Sequence, residues 1–121
     1  MPTITLHDGR KFEVQSDKRL ILALMDHRVD ILHRCGGNAR CTTCRVRFIE
    51  GEPERMTQAE KIRLIDKDSL GKFRLSCQIP CDHNMTVQPL LSMKSEMLDD
   101  AGPRPDDHIT PPPEWTTKNG T

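Results

Sequence analysis

The stretch spanning residues 33–48, "HRCGGNARCTTCRVRF", sets Cys35, Cys41 and Cys44 close together among glycines, threonines and arginines. Only two other cysteines, Cys77 and Cys81, occur in the 121 residues, and both lie well downstream. The segment reads as a loop that runs straight into "CRVRFIEG". Four thiolates bind a zinc ion or an iron–sulfur cluster. The run Cys35-x5-Cys41-x2-Cys44, with a distant fourth cysteine at 77, differs from the plant-type iron–sulfur spacing by one residue inserted before the second cysteine.

The residues between the thiols carry as much information as the spacing. Thiolate-bound clusters are anionic, and hydrogen bonds to their sulfurs favour the more negative, reduced state. A loop that aims several backbone N–H groups inward needs tight or left-handed conformations. Gly36 and Gly37 adopt these freely and Asn38 tolerates them, so the three are expected to shape the loop. Thr42 and Thr43 offer hydroxyl donors, and Arg34, Arg40, Arg45 and Arg47 flank the loop with positive charge.

Outward from the loop, the pattern gives alternating elements. Residues 3–6 and 11–15 alternate around Asp8-Gly9, a hairpin signal. Ser16 and Asp17 are expected to cap a helix through "KRLILALMDHR", with Leu20, Ala23, Leu24 and His27 on its core-facing stripe. "CRVRFIEG" alternates as a half-buried strand. Thr57-x-x-Glu60 is a capping box, and Ala59, Ile62 and Ile65 are expected to give the following helix its apolar side. "KFRLSCQ" reads as a short extended segment and "MTVQPLL" as a final strand, with Pro89 at an edge or a strand end. The order β-β-α-loop-β-α-β predicts an α+β fold with a mixed sheet.

Residues 1–91 thus read as one domain, and 92–121 as a Pro-rich, acidic, mobile tail without periodicity. The first part carries fifteen Lys and Arg against twelve Asp and Glu, the second three against six. Trp115 in the tail is either incidental or a clip to the domain. With 35% hydrophobic residues the core is modest, and a bound metal would reinforce it. No basic run interleaved with aromatics indicates nucleic acid, and no apolar run reaches membrane-spanning length. No leader segment is readable, and an odd cysteine count without one argues against a disulfide framework. The expectation is a cytoplasmic monomer.

The segments "HRCGGNARCTTCRVRFIEG", "TQAEKIRL" and "FRLSCQ" together resemble the bacterial [2Fe–2S] ferredoxins whose loops read CGGxxxCxxC and share adrenodoxin-like spacing. The resemblance covers roughly residues 3–91. It implies a β-grasp fold with two main helices and one [2Fe–2S] cluster per chain. It also implies that Cys35 and Cys41 hold one iron and Cys44 and Cys77 the other. The implied function is a one-electron carrier, not an enzyme, taking electrons from a ferredoxin reductase to an acceptor such as a cytochrome P450 or another oxygenase. In adrenodoxin-like members the helix before the fourth cysteine is an acidic docking surface. Here "TQAEKIRLIDKD" mixes Lys61, Arg63 and Lys67 with Glu60, Asp66 and Asp68, so that role does not carry over.

Cys81 is left over and reads as a free, partly buried thiol; a replacement ligand and an oxidation-sensitive thiol are the sharper readings. Cys81-x-His83 has no Cys-x2-His counterpart and does not make a Rieske-type site. His33 reads as a packing or surface residue. Two rival functions remain: a structural zinc module built on Cys41, Cys44, Cys77 and Cys81, and a cluster-sensing or cluster-assembly protein using the same cofactor. The first leaves Cys35 and the double glycine without a role. Cys35→Ser separates zinc from iron–sulfur: visible absorption and iron content of the purified protein are expected to collapse, whereas a zinc site would keep its metal.

Overall fold

Asp8 and Gly9 turn β1 (Thr3–Leu6) back onto β2 (Lys11–Glu13), with Thr3 opposite Glu13 and Ile4 opposite Phe12. The Asp8 carboxylate closes the turn by accepting from the Arg10 N–H at 3.0 Å. The computed structural model describes residues 1–117. Through its other edge β1 pairs in parallel with β6 (Met85–Pro89). Next to β6 lies antiparallel β3 (Arg45–Glu50), which in turn pairs with the short β5 (Arg74–Leu75). The sheet order is β2-β1-β6-β3-β5. Pro89 closes β6, a strand end where its missing N–H breaks no ladder. Alternation sends Ile4, Leu6, Val46 and Val87 to one buried face.

Helix α1 (Leu20–Asp26) covers that face, and Leu20, Ile21, Leu22, Ala23 and Leu24 are all buried. This is broader than the expected stripe, and His27 instead stacks on Phe12 with ring centroids 4.0 Å apart. The expected cap also differs. Ser16 and Asp17 do not cap α1; Arg19 stands at its N-terminus in extended conformation without a side-chain cap. The reason is tertiary: the Leu20 N–H donates to the Ile79 carbonyl at 2.8 Å, so a distant backbone group serves the helix end.

Helix α2 (Gln58–Asp66) begins as the sequence predicts, the Thr57 hydroxyl accepting from the Glu60 N–H at 3.1 Å. Its orientation does not follow the expected apolar side. Ile62 is 63% and Ile65 56% exposed, while Glu60 and Leu64 are buried. A buried cation explains this. Arg74 on β5 is 3% exposed, and the Glu60 carboxylate accepts its Nε at 2.8 Å and its Nη2 at 3.1 Å. The same carboxylate also accepts the Leu75 N–H at 2.8 Å. A guanidinium in the interior requires such a partner, and that requirement outweighs burying two isoleucines.

Beyond β6 the chain returns across the domain. Leu32 donates its N–H to the Leu91 carbonyl, and the Asp30 carboxylate accepts from the Met93 and Lys94 N–H groups. At its far end β7 (Trp115–Thr117) pairs antiparallel with β4 (Arg55–Thr57), and the Arg55 guanidinium lies 4.2 Å above the Trp115 ring. Trp115 is therefore the clip. Residues 118–121 of the expected tail lie outside the described residues. The whole is an α+β, β-grasp architecture, a mixed sheet with two main helices. Among the described residues no helix is long and apolar enough to cross a membrane.

Glu60→Ala strands the Arg74 charge in the interior and is expected to destabilise the fold by about 3–5 kcal/mol, read as a lower denaturant midpoint.

Candidate metal centre

The antiparallel pair β3–β5 sets Arg45 opposite Leu75, and so brings the residues preceding β3 beside those following β5. Ser76 fastens the junction: its N–H and its hydroxyl both donate to the Cys44 carbonyl, at 3.1 and 2.7 Å. A single 3-10 turn, Ser76–Gln78, then places Cys77 against Cys44. Cys35 and Cys41 form a second pair within the loop, where the Cys35 N–H donates to Cys41 Sγ at 3.2 Å. Thr43 Oγ1 lies 3.0 Å from the same sulfur and also accepts the Arg34 N–H at 3.0 Å. Cys44 and Cys77 are buried, whereas Cys35 and Cys41 are half-buried.

Left-handed backbone shapes this loop, in part at unexpected positions. Gly36, Gly37, Ala39 and Thr42 take positive φ, and Asn38 does not. Asn38 works through its side chain, donating Nδ2 to the Cys35 carbonyl at 2.9 Å. A non-glycine residue in this region costs about 1–3 kcal/mol and persists where its surroundings hold it. Thr42 is held by Arg45, whose Nε donates to the Thr42 carbonyl and Nη2 to its hydroxyl, both at 2.9 Å. Arg45 itself is braced on the Phe73 ring at 4.2 Å. The Ala39 carbonyl accepts the Arg63 Nε at 3.2 Å. Gly37 is required for space as well as for φ: a Cβ there would come within 2.7 Å of Arg19 Nη2 and of Pro105 Cβ.

The Cys41 thiol, followed by the Arg40, Cys41 and Asn38 N–H groups, draws the Cys35 pKa down to about 4 despite burial. Cys41 is raised by its bond to Cys35 and then by burial. Likewise Cys44 donates to Cys77 and is raised, burial adding to the effect. Cys77 is lowered by Cys44, by Gln78 Nε2 at 3.5 Å, by the Ala39 N–H and by the Arg19 charge. Among the described residues no group of three or more His, Cys, Asp or Glu side chains is gathered as a ready-made single-ion site; the sulfurs stand in two pairs. Amide and hydroxyl donors aimed at paired sulfurs fit a cofactor that binds as a tetrathiolate and accepts hydrogen bonds at sulfur, a [2Fe–2S] cluster.

The other sequence candidates fall around this centre. The Cys81 thiol is pushed up to about 12 by burial and then by Asp82; its N–H donates to the Lys18 carbonyl and its carbonyl accepts the Asp17 N–H. His33 is buried, with Nδ1 2.9 Å from the Pro103 carbonyl. Arg34 reaches the Asp100 carbonyl, Arg47 reaches Gln88, and Arg40 is exposed. Sequence reasoning missed Ser76, Gln78 and Arg19 as parts of the site. The first two flank Cys77 and were visible on that ground; Arg19, at a helix start, offered no signal.

The family model of the 2Fe-2S iron-sulfur cluster binding domain matches residues 4–82. Among curated proteins, the F subunit of the Na(+)-translocating NADH-quinone reductase of Methylococcus capsulatus is 29% identical over 84 residues, covering 69% of this chain and 20% of that protein. Its counterpart from Chlamydia felis is 28% identical over 75 residues, covering 62% and 17%. This chain thus spans a fifth or less of the length of these relatives. Among solved structures, the ISC-like [2Fe-2S] ferredoxin FdxB of Pseudomonas putida is 25% identical with a TM-score of 0.55, over 73% of this chain and 91% of that one. Putidaredoxin in its covalent complex with putidaredoxin reductase is similar at 26% identity and a TM-score of 0.53, over 71% and 95%. The Amycolatopsis cytochrome P450 reductase GcoB shares the fold, at 18% identity and a TM-score of 0.59, over 93% of this chain and 29% of that one.

Thr43→Val removes the hydroxyl beside Cys41 Sγ while keeping side-chain volume. Because that donor favours the reduced state, the midpoint potential measured by optical redox titration is expected to move to a more negative value.

Proposed function

This chain belongs to the family of 2Fe-2S iron-sulfur cluster binding domains and carries a [2Fe–2S] cluster, and from there we propose that residues 1–91 form a one-electron carrier with Cys35 and Cys41 on one iron and Cys44 and Cys77 on the other. The observation that supports the assignment is that these four sulfurs stand in two pairs, one within the loop and one joining it to the distant segment at Cys77, each pair ringed by N–H or hydroxyl donors. When bound, the cluster accepts and returns a single electron. The chain's residues do the rest. Gln78, Thr43 and the loop amides stabilise added negative charge at the sulfurs. The buried Cys44–Cys77 side anchors the site to the sheet, and the half-buried Cys35–Cys41 side presents the shortest route to a partner.

The relatives named for an NADH-quinone reductase and for a putidaredoxin bound to its reductase support a ferredoxin reductase as electron donor. The acceptor in this reading is a cytochrome P450 or another oxygenase. Cys81 is buried in the core and belongs to neither sulfur pair, which favours this reading over the zinc alternative.

Electron paramagnetic resonance of the dithionite-reduced protein is expected to give the signal of a one-electron-reduced [2Fe–2S] centre, lost in Cys77→Ser and retained in Cys81→Ser. Repeated reduction and reoxidation without loss of iron would support a carrier. Release of the cluster to an apo-acceptor on each cycle would support an assembly role instead.

A further inference from the structure

Arg19 is a cation sealed in the interior and, among the described residues, without a carboxylate of its own. The residue is 1% exposed, and its guanidinium donates to carbonyl oxygens throughout. Nε and Nη2 reach the Cys77 carbonyl at 3.0 and 2.7 Å, and Nη2 reaches the Gly37 carbonyl at 2.5 Å. Nη1 is taken up by the Asp106 and His108 carbonyls at 2.8 and 3.0 Å. The contrast with Arg74 is direct: Arg74 has Glu60 against it, whereas among the described residues no carboxylate bonds to Arg19. A buried cation requires compensating negative charge. Burial lowers the Arg19 pKa, and the negative charge that opposes this comes first from Cys77 and then from Cys44, the side whose backbone the guanidinium grips, with the exposed Asp106 contributing less.

Residues 101–110 make this burial possible. Ala101 accepts the His33 N–H at 2.9 Å, and Gly102 passes so close that a Cβ there would come within 2.5 Å of the His33 carbonyl and 2.8 Å of Arg34 Cα. Pro105 is buried over Gly37. The Thr110 carbonyl accepts Gln78 Nε2 at 2.9 Å, so the residue that donates to Cys77 Sγ is also tied to this segment. The segment thus forms a strap that excludes water from Arg19 and provides the carbonyls that replace it.

We propose that Arg19 is a positioning residue of the redox centre, held beside the Cys44–Cys77 side by the 101–110 strap so that a dry, unscreened positive charge raises the reduction potential. The inference rests on the cluster assignment above. It goes beyond it by making the C-terminal segment, outside the matched family domain, part of the electron-transfer machinery. The physical basis is that a fixed charge in a low-dielectric site acts far more strongly on a neighbouring charge than the same group in water, and salt screens it little.

The test uses the full chain with its cluster and measures midpoint potential, the salt dependence of that potential, and amide exchange of residues 101–110. Arg19→Gln is expected to shift the potential to a more negative value, and Arg19→Lys, which keeps the charge without the fork, to restore part of that shift. Gly102→Val, whose side chain has no room against His33, is expected to speed exchange across the strap and to increase the salt dependence. In that background the Arg19→Gln shift is expected to fall to half or less, a coupling that a purely structural arginine would not show. A cluster-loaded Arg19→Gln with the parent's potential overturns the proposal. So does Gly102→Val with the parent's exchange and salt dependence, a result that decides the matter even if Arg19→Gln fails to fold. A parent protein that contains no iron sinks the cluster assignment itself, whereas a loaded parent with unmoved variants sinks only the role of Arg19.

Discussion

The double hydrogen bond from Ser76 to the Cys44 carbonyl is the constraint on which the rest depends. It closes the gap between two chain segments that are remote in sequence, and it does so at the point where β3 meets β5. With that junction fixed, Cys77 is committed to Cys44, and the loop is left to organise Cys35 and Cys41 by itself. A centre with one rigid buried side and one half-exposed side follows. Rigidity limits reorganisation on charge transfer, and exposure shortens the path to a partner.

Each element around the centre can be traced to that junction. Helix α2 serves it through Glu60, which holds both the Arg74 guanidinium and the Leu75 N–H immediately before Ser76. Helix α1 serves it from the other side, where Arg19 clasps the Cys77 carbonyl. Two arginines in the interior of so small a domain are costly unless each is fully bonded. The solutions differ: Arg74 has a carboxylate, and Arg19 has backbone carbonyls together with the charge of the sulfurs. This difference separates a residue that holds the fold from one aimed at the chemistry.

The loop shows how local strain is contained. Ala39 and Thr42 stand in left-handed conformations that neither residue favours, and each is gripped by an arginine, Arg63 on Ala39 and Arg45 on Thr42. The arginines flanking the cysteines, which read as a diffuse positive field in the sequence, are therefore used individually. Arg45 braces backbone and Arg34 ties the loop to the returning chain, while Arg40 faces water.

Local chemistry was legible in the chain before any fold was known. The cysteine spacing and the double glycine pointed to the cofactor class, Asp8-Gly9 to the hairpin, and the alternation of "CRVRF" to a strand, because each signal lies within a few residues of its consequence. Other features were decided by partners many residues away. Glu60 turned inward because Arg74 is buried beside it, and the isoleucines of α2 turned out in consequence. Ser16 and Asp17 lost the α1 cap to the Ile79 carbonyl, and Asn38 ceded the left-handed positions to Ala39 and Thr42. The return of residues 101–110 over the loop, with Arg19 sealed beneath it, had no signature in composition, since a Pro-rich acidic segment looks solvated until a specific cavity exists to receive it. Periodicity and motifs report which surface a segment can bury; only the assembled fold decides which charge that surface must satisfy.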